Sequence, residues 1–367
     1  MKILHMADCH LDAVMEQHLP SRMAKTRRRE LLLTFSSAIA IGEREGVALV
    51  LLAGDLFDTP TPSAGAVRYV LDCIAAHSAM QFILIEGNHD AGALKDLTLP
   101  ENLTLVPAHA TATLCFGDIN IHAGGFGITD EQLSALPCPA GAKNIFLLHG
   151  TLGTGYSSER EEILSRTVLE QKSIDYLALG HYHTHTAIRL AQGTLVCYAG
   201  TPEGRGFDET GKCGVILYDT ETKAAEFIVT ATRTLHDITV DVTGSVTLPE
   251  IERRVEEAIL GIPAEDMVRL TLCGEVEEHY LKEPEQIGAL LEGRFFFARV
   301  KDSIRLHLRA DRYRNDISLR GEFVRRVLRD TSLSEEDRER VLSFGLRALE
   351  GELPEEAAYE AERGRTT

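Results

Sequence analysis

The chain has 367 residues, of which 44% are hydrophobic and 26% charged, and carries a formal net charge of -18. That is an ordinary globular balance with chain enough for about two domains, so collagen-like and disordered classes are excluded; the longest apolar runs, such as Val47 to Ala53, fall far short of the roughly 20 residues of a membrane span. Seven scattered cysteines, never spaced Cys-x-x-Cys, argue against a disulfide framework or a cysteine zinc site, and the opening Met-Lys-Ile-Leu-His lacks a signal-peptide apolar region, so a cytoplasmic protein without membrane association is expected.

Lys2 to Ala7 reads as a short strand, and Arg22 to Gly46 as a helix with Leu31, Leu32, Phe35 and Ile39 on its apolar face. Val47–Ala53 and Gln81–Ile85 are continuous aliphatic runs, the mark of strands buried on both faces, and Ser63–His77 between them is helical. Further strands are expected at Leu103–Val106, Ile119–Ala123, Ile145–Leu148, Tyr176–Leu179, Thr194–Tyr198, Val215–Tyr218 and Ala225–Thr230. The opening βαβαβ order predicts an α/β fold with a parallel sheet covered by helices, and the later, closely spaced strands predict a mixed or second sheet packed on it. After about Thr234 the pattern becomes a smaller α/β unit: strands at Leu235–Val242 and Val268–Leu272, helices at Pro249–Leu260 and Pro284–Leu291, and a strand within Phe295–Leu308. From Leu319 onward the chain reads as helical. Three segments are expected, residues 1–235, 236–315 and 316–367.

Polar residues gather where the strands of the first segment end: Asp8 and His10, Gly54-Asp55, Gly87-Asn88-His89-Asp90, His149, and Gly180-His181-Tyr182-His183. Taken singly, each has a plain structural reading: Asp55 and Asn88-His89 as turn residues, His181 and His183 as a partly buried pair. Taken together they are expected on one edge of one sheet, where open α/β sheets bind ligands. Hydrolysis of a phosphoester needs a hydroxide in line behind phosphorus and neutralised attacking and leaving oxygens; two cations roughly 3.5–4 Å apart do both. Such a site needs one shared carboxylate and about three more ligands per ion, and Asp8, His10, Asp55, Asn88, His149, His181 and His183 supply that set. Nitrogen and oxygen donors without thiolate favour manganese, with magnesium, iron or zinc as alternatives. His89 is left beside the site as an imidazole able to donate a proton to the leaving oxygen.

These five ordered motifs resemble those of the calcineurin-like metallophosphoesterases over roughly the first 235 residues. The resemblance implies a two-sheet αββα sandwich, with Asp8, His10 and His183 holding one metal and Asn88, His149 and His181 the other, Asp55 bridging. It implies that His89 is the catalytic imidazole, that Asp58 is the carboxylate orienting it, and that Asp90 is structural. Gly54-Asp55-Leu56-Phe57-Asp58 followed by Pro60 and Pro62, Gly-His-Tyr-His, and Tyr198-Ala199-Gly200-Thr201-Pro202 are most similar to the SbcD-type DNA-repair exonucleases. That likeness implies a DNA substrate, an α/β capping domain after the phosphoesterase domain and an SMC-like (SbcC-like) ATPase partner, with a homodimer as a further expectation. Gly204-Arg205-Gly206-Phe207-Asp208-Glu209 departs from the pattern and marks a divergent branch.

A DNA-binding chain held by bulk charge should be basic, and this one is acidic. Local basic segments exist: Arg22, Lys25, Arg27, Arg28 and Arg29 open the first helix, and Arg294 to Arg329 holds eleven basic residues against four acidic ones. They read equally well as backbone-phosphate contacts without base readout or as solvated faces paired with carboxylates. Phe295-Phe296-Phe297 reads as a core strand rather than a stacking surface, and Phe323, Val324, Val327 and Leu328 as core packing, with a docking helix for the ATPase as the lesser reading. The expected activity is a metal-dependent DNA exonuclease. A phosphodiesterase or phosphatase for a small phosphoester and a non-enzymatic DNA-end scaffold are the alternatives.

Overall fold

In the computed structural model, which describes residues 1–15, 19–154, 162–277, 284–307 and 316–349, the aliphatic runs of the first half become strands of two six-stranded sheets. In chain order the elements are β1 (Lys2–Met6), α1 (Ser21–Arg44), β2 (Leu49–Ala53), α2 (Ala64–Ala76), β3 (Gln81–Ile85), β4 (Leu103–Val106), β5 (Thr111–Phe116), β6 (Ile119–Gly124), α3 (Asp130–Ala135), β7 (Lys143–His149), β8 (Thr151–Gly153) and β9 (Ile163–Ser165). There follow α4 (Arg166–Glu170), β10 (Tyr176–Gly180), β11 (Thr186–Arg189), β12 (Leu195–Tyr198), β13 (Gly214–Asp219) and β14 (Ala224–Val229). The first sheet runs β14-β13-β1-β2-β3-β4, the second β11-β12-β10-β7-β6-β5. Strands β1 to β4 are mutually parallel, as are β6, β7, β10 and β12. Antiparallel strands close the edges.

Why the runs are continuous rather than alternating is visible in β2. Leu49, Leu51 and Ala53 enter the core between the sheets with Ile3, Ile83, Ile85, Ile121, Ile145, Leu147 and Tyr176. Its other residues, Val50 and Leu52, are equally buried on the opposite side. A strand covered on both faces has no polar face to show. On the outer face of the second sheet, Phe146, Leu148, Leu177 and Leu179 pack with Leu133 of α3 and Leu169 of α4. On the first sheet, Gly42 of α1 lies against Leu4, where an added Cβ would stand 3.3 Å from Leu4 Cδ2. The fold is a mixed α/β sandwich flanked by helices. Because the parallel strands of each sheet share a direction, their carboxyl ends fall on one edge.

The chain divides into two compact units, Met1–His236 and Asp237–Thr367. In the second, β15 (Leu235–Asp241), α5 (Leu248–Ala258), β16 (Met267–Glu277), α6 (Pro284–Leu291) and β17 (Phe297–His307) form a three-stranded sheet, order β15-β16-β17, covered by helices. α7 (Leu319–Arg329) and α8 (Glu335–Leu349) pack through Val324, Val327, Leu342 and Leu346, with Phe323 and Leu328 alongside, the core role expected of that stripe. Phe295 lies in the core, but it and half-buried Phe296 precede β17 and only half-buried Phe297 belongs to it, so the three do not form the core strand expected of them. Among the described residues no helix is long and apolar enough to cross a membrane.

One expectation for the basic residues fails. Arg27 does not face solvent: it is fully buried, donating to Glu30, to Glu203 Oε1 at 2.8 Å and to the Gly204 carbonyl, while Arg233 holds Glu30 at 2.7 Å. A helix lying on a sheet must bury one side, and here the basic residue on that side is neutralised by two carboxylates. In the second segment Arg294 pairs with Glu256 and Arg325 with Glu322, whereas Arg299, Lys301 and Arg305 are exposed along β17. Arg309, Arg312 and Arg314 lie outside the described residues.

Candidate metal centre

The loops that leave β1 and β2 are zipped together: Asp8 N donates to Gly54 O, His10 N to Asp55 O and Leu11 N to Leu56 O, at 3.1, 3.0 and 2.9 Å. This pairing needs tight reversals, and Asp8, His10 and Asp55 have φ of 50°, 42° and 49°; His181 at the end of β10 has 97°. Left-handed backbone is costly for residues with a Cβ and concentrates where surrounding structure enforces a functional geometry. The same crowding explains the glycines. A Cβ on Gly54 would stand 2.3 Å from His149 Nδ1, and one on Gly87 would stand 2.1 Å from Asp55 Oδ1.

All seven expected ligand residues come to this edge, but not from one sheet as expected: β1, β2 and β3 of one sheet and β7 and β10 of the other deliver them, because the two sheets pack face to face with their site-bearing strand ends together. Ligand atoms of Asp8, His10 and His183 lie within 4.8 Å of one another, as do those of Asp8, Asp55 and His149. Asp55 Oδ2 is 3.7 Å from His10 Nε2 and 3.4 Å from His149 Nε2, so it stands between the two groups. Asn88 Oδ1 is 3.0 Å from His149 Nε2, and the His181 ring stands 5.3 Å from that of His149. The His181 amide donates to both oxygens of Asp8, at 2.9 and 3.1 Å, tying the second sheet to the first. Asp90 accepts from the amides of Gly87, Leu56 and Phe57, a loop brace, and its burial raises its pKa to about 6.

His89 lies at the exposed rim, its ring edge-on to His10 at 4.9 Å, and its amide donates to Asp55 Oδ1 at 2.9 Å. A nitrogen of His89, one of His10 and an Asp58 oxygen lie within 4.8 Å of one another. Asp58 itself turns to His10, with Oδ1 3.0 Å from Nδ1, a contact off the ideal hydrogen-bond line, and to Arg205 Nη1 at 2.8 Å. His185 is occupied structurally, stacked on Phe227 and bonded through Nδ1 to the Tyr198 carbonyl oxygen.

Two residues were missed in the sequence. Glu209 Oε1 is 2.7 Å from His183 Nδ1, and Arg205 Nη2 is 2.6 Å from the same oxygen. Burial would raise the Glu209 carboxyl, but His183 and the Arg205 guanidinium outweigh it and hold it at about 2. Two histidines thus each have a carboxylate at Nδ1, and one guanidinium joins the carboxylates. The signal was available: an arginine and a glutamate at a spacing of four inside the segment that departs from the family pattern.

The donor set fits cations. With Nδ1 of His10 facing Asp58 and Nδ1 of His183 facing Glu209, the two Nε2 atoms meet at 3.2 Å, where two lone pairs repel unless a positive charge joins them. His149 Nδ1 donates to Ala53 O at 2.8 Å, which leaves Nε2 for the cluster. Burial opposes its protonation, yet the bond to Asp55 and the charges of Asp55 and Asp8 raise it to about 9. A pocket that keeps a buried imidazole protonated is short of positive charge.

A family model described as calcineurin-like phosphoesterase matches residues 1–185. Among curated relatives, the metallophosphoesterase YhaO of Bacillus subtilis is 25% identical over 308 residues, 78% of this chain and 74% of that one. The DNA double-strand break repair protein Mre11 of Saccharolobus solfataricus is 26% identical over 238 residues, 60% of each chain. The SbcD component of the SbcCD nuclease of Staphylococcus saprophyticus is 23% identical over 246 residues, 57% of this chain and 63% of that one. The chain thus spans less than two thirds of the length of the latter two. With the family's motifs assembled at one edge of a two-sheet sandwich and half the chain matching its model, the protein belongs to the calcineurin-like phosphoesterases and is a phosphoester hydrolase.

Proposed function

We propose that this chain is a metal-dependent DNA nuclease, acting as an exonuclease in repair or recombination together with an SMC-like ATPase. The observation that carries the reading is the gathering of Asp8, His10, Asn88, His149 and His183 about Asp55, with the His181 ring beside His149, in a chain similar to Mre11 and to the SbcD component of SbcCD. Asp8, His10 and His183 would hold one divalent cation and Asn88, His149 and His181 the other, with Asp55 shared; manganese suits the donors. When bound, two such cations activate water and neutralise the oxygens of the transferring phosphoryl group. The chain's own residues do the rest. Asp58 and Glu209 orient His10 and His183 through their Nδ1 atoms, and Arg205 keeps those carboxylates in place. His89, at the rim and outside the ligand set, would pass a proton to the leaving oxygen. A homodimer and a cytoplasmic location belong to the same reading.

The test supplies the purified full chain with manganese and end-labelled linear DNA, with and without an SMC-like ATPase. Release of nucleotides that stops with chelator and with Asp55→Asn supports the proposal. Absence of release under every condition, together with brisk turnover of bis(4-nitrophenyl) phosphate unaffected by competing DNA, would assign a small phosphoester instead.

A further inference from the structure

Between the two histidines of Gly180-His181-Tyr182-His183 stands a tyrosine that the metal centre does not use. Tyr182 is 46% exposed. Its ring centroid is 5.9 Å from that of His181 and 4.7 Å from that of Tyr198, tilted to each by 45° and 56°. Tyr198 is buried in the outer core of the second sheet, and its hydroxyl accepts from Leu152 N at 2.9 Å and donates to Gly150 O at 3.1 Å. Tyr182 is therefore backed on one side and open to solvent on the other, one residue from two candidate ligands.

We infer that Tyr182 is the stacking platform for the nucleobase next to the scissile phosphate. The inference rests on the nuclease reading and deepens it. A chain with a net charge of -18 repels a polyanion at long range, so its grip on a nucleic acid must come from contacts at the site. Cations held by the candidate ligands would take the phosphate. An aromatic face takes the adjoining base without reading its identity, because every base has a π-face, and that contact is insensitive to the protein's net charge. Backing by Tyr198 pre-orients the ring, so little rotamer freedom is lost when a base settles on it.

The experiment compares a single-stranded oligonucleotide carrying thymine at the cleaved position with its counterpart carrying an abasic tetrahydrofuran residue there. Wild type should cut the thymine substrate on the order of tenfold faster in kcat/KM. Tyr182→Ala should bring that ratio to about one, and Tyr182→Phe should restore the preference. The chain contains no tryptophan, so Tyr182→Trp supplies a lone fluorophore that base stacking quenches, and the thymine oligonucleotide should quench it more than the abasic one. A wild-type ratio near one, or an undiminished ratio in Tyr182→Ala, overturns the inference and leaves the nuclease reading standing. Failure of wild type to cut either oligonucleotide overturns the inference, and it overturns the nuclease reading as well where linear DNA is also left intact with and without the ATPase.

Discussion

Glu209 Oε1 lies 2.7 Å from Nδ1 of His183, and that contact fixes which nitrogen of the ring faces the cluster. A histidine whose Nδ1–H is held by a carboxylate presents Nε2 as a more basic, better aimed ligand. Glu209→Gln should therefore weaken manganese binding by about 10- to 100-fold while leaving the fold intact. Isothermal titration read beside far-ultraviolet circular dichroism checks both halves.

The same carboxylate predicts a pH effect on stability. Glu209 titrates at about 2 in the folded protein against an ordinary value of 4.5. A depressed carboxyl stabilises the fold above its unfolded value, and that contribution fades as pH falls from about 4.5 towards 2. Metal-free wild type should melt above Glu209→Gln at neutral pH, and the gap in Tm should close across that acidic window. A constant gap from pH 7 to pH 2.5 would contradict the assignment.

Cation binding should expel a proton. His149 is held protonated up to about 9 by Asp55 and Asp8 against the opposing effect of burial, and a cation can use Nε2 only after that proton leaves. Titrations at pH 7.5 in buffers of different ionisation enthalpy should report release of about one proton for the cation bound there, with affinity rising about tenfold per pH unit until pH approaches 9. His149→Asn should abolish the release.

Gly87→Ala should damage the site more than the fold. The new methyl would stand 2.1 Å from Asp55 Oδ1 and 2.5 Å from Asp55 N, atoms fixed in the zipped loops. Overpacking of this kind costs about 1–3 kcal/mol. Chemical denaturation should show that loss, and manganese titration should show a fall in affinity of at least tenfold, since Asp55 cannot keep its place.

Arg27→Met should be the most destabilising of these changes. It leaves Glu30 and Glu203 buried with one cation fewer, a loss of about 3–5 kcal/mol where a buried pair is broken. Its readout is the urea midpoint. Arg299→Met, on the exposed face of β17, should shift that midpoint little.

How much of this could be read from the residues divides along a physical line. Strands such as β2 and β3 were legible because burial on both faces demands an unbroken aliphatic run. The site was legible because its donors end those strands. Thr111–Phe116 was not: it alternates between exposed and half-buried positions at a sheet edge, and Thr-Ala-Thr-Leu-Cys-Phe carries no strong run. Thr186–Arg189 is an edge strand exposed at all four positions. Arg27 was misread because a charge in a basic run gives no sign of which helix face it occupies. Glu209 and Arg205 escaped because residues that act through another side chain have no spacing of their own; only the folded chain brings them to Nδ1 of His183.

The aspartates and Asn88 leave one sheet and His149, His181 and His183 leave the other, with the His181 amide bound to Asp8 across the divide. Neither sheet by itself owns a complete set of donors. Ion occupancy would therefore work as a clasp on the sandwich, adding to its resistance to unfolding in proportion to the logarithm of free ion concentration. Starvation for metal would then loosen the architecture as well as silence the chemistry.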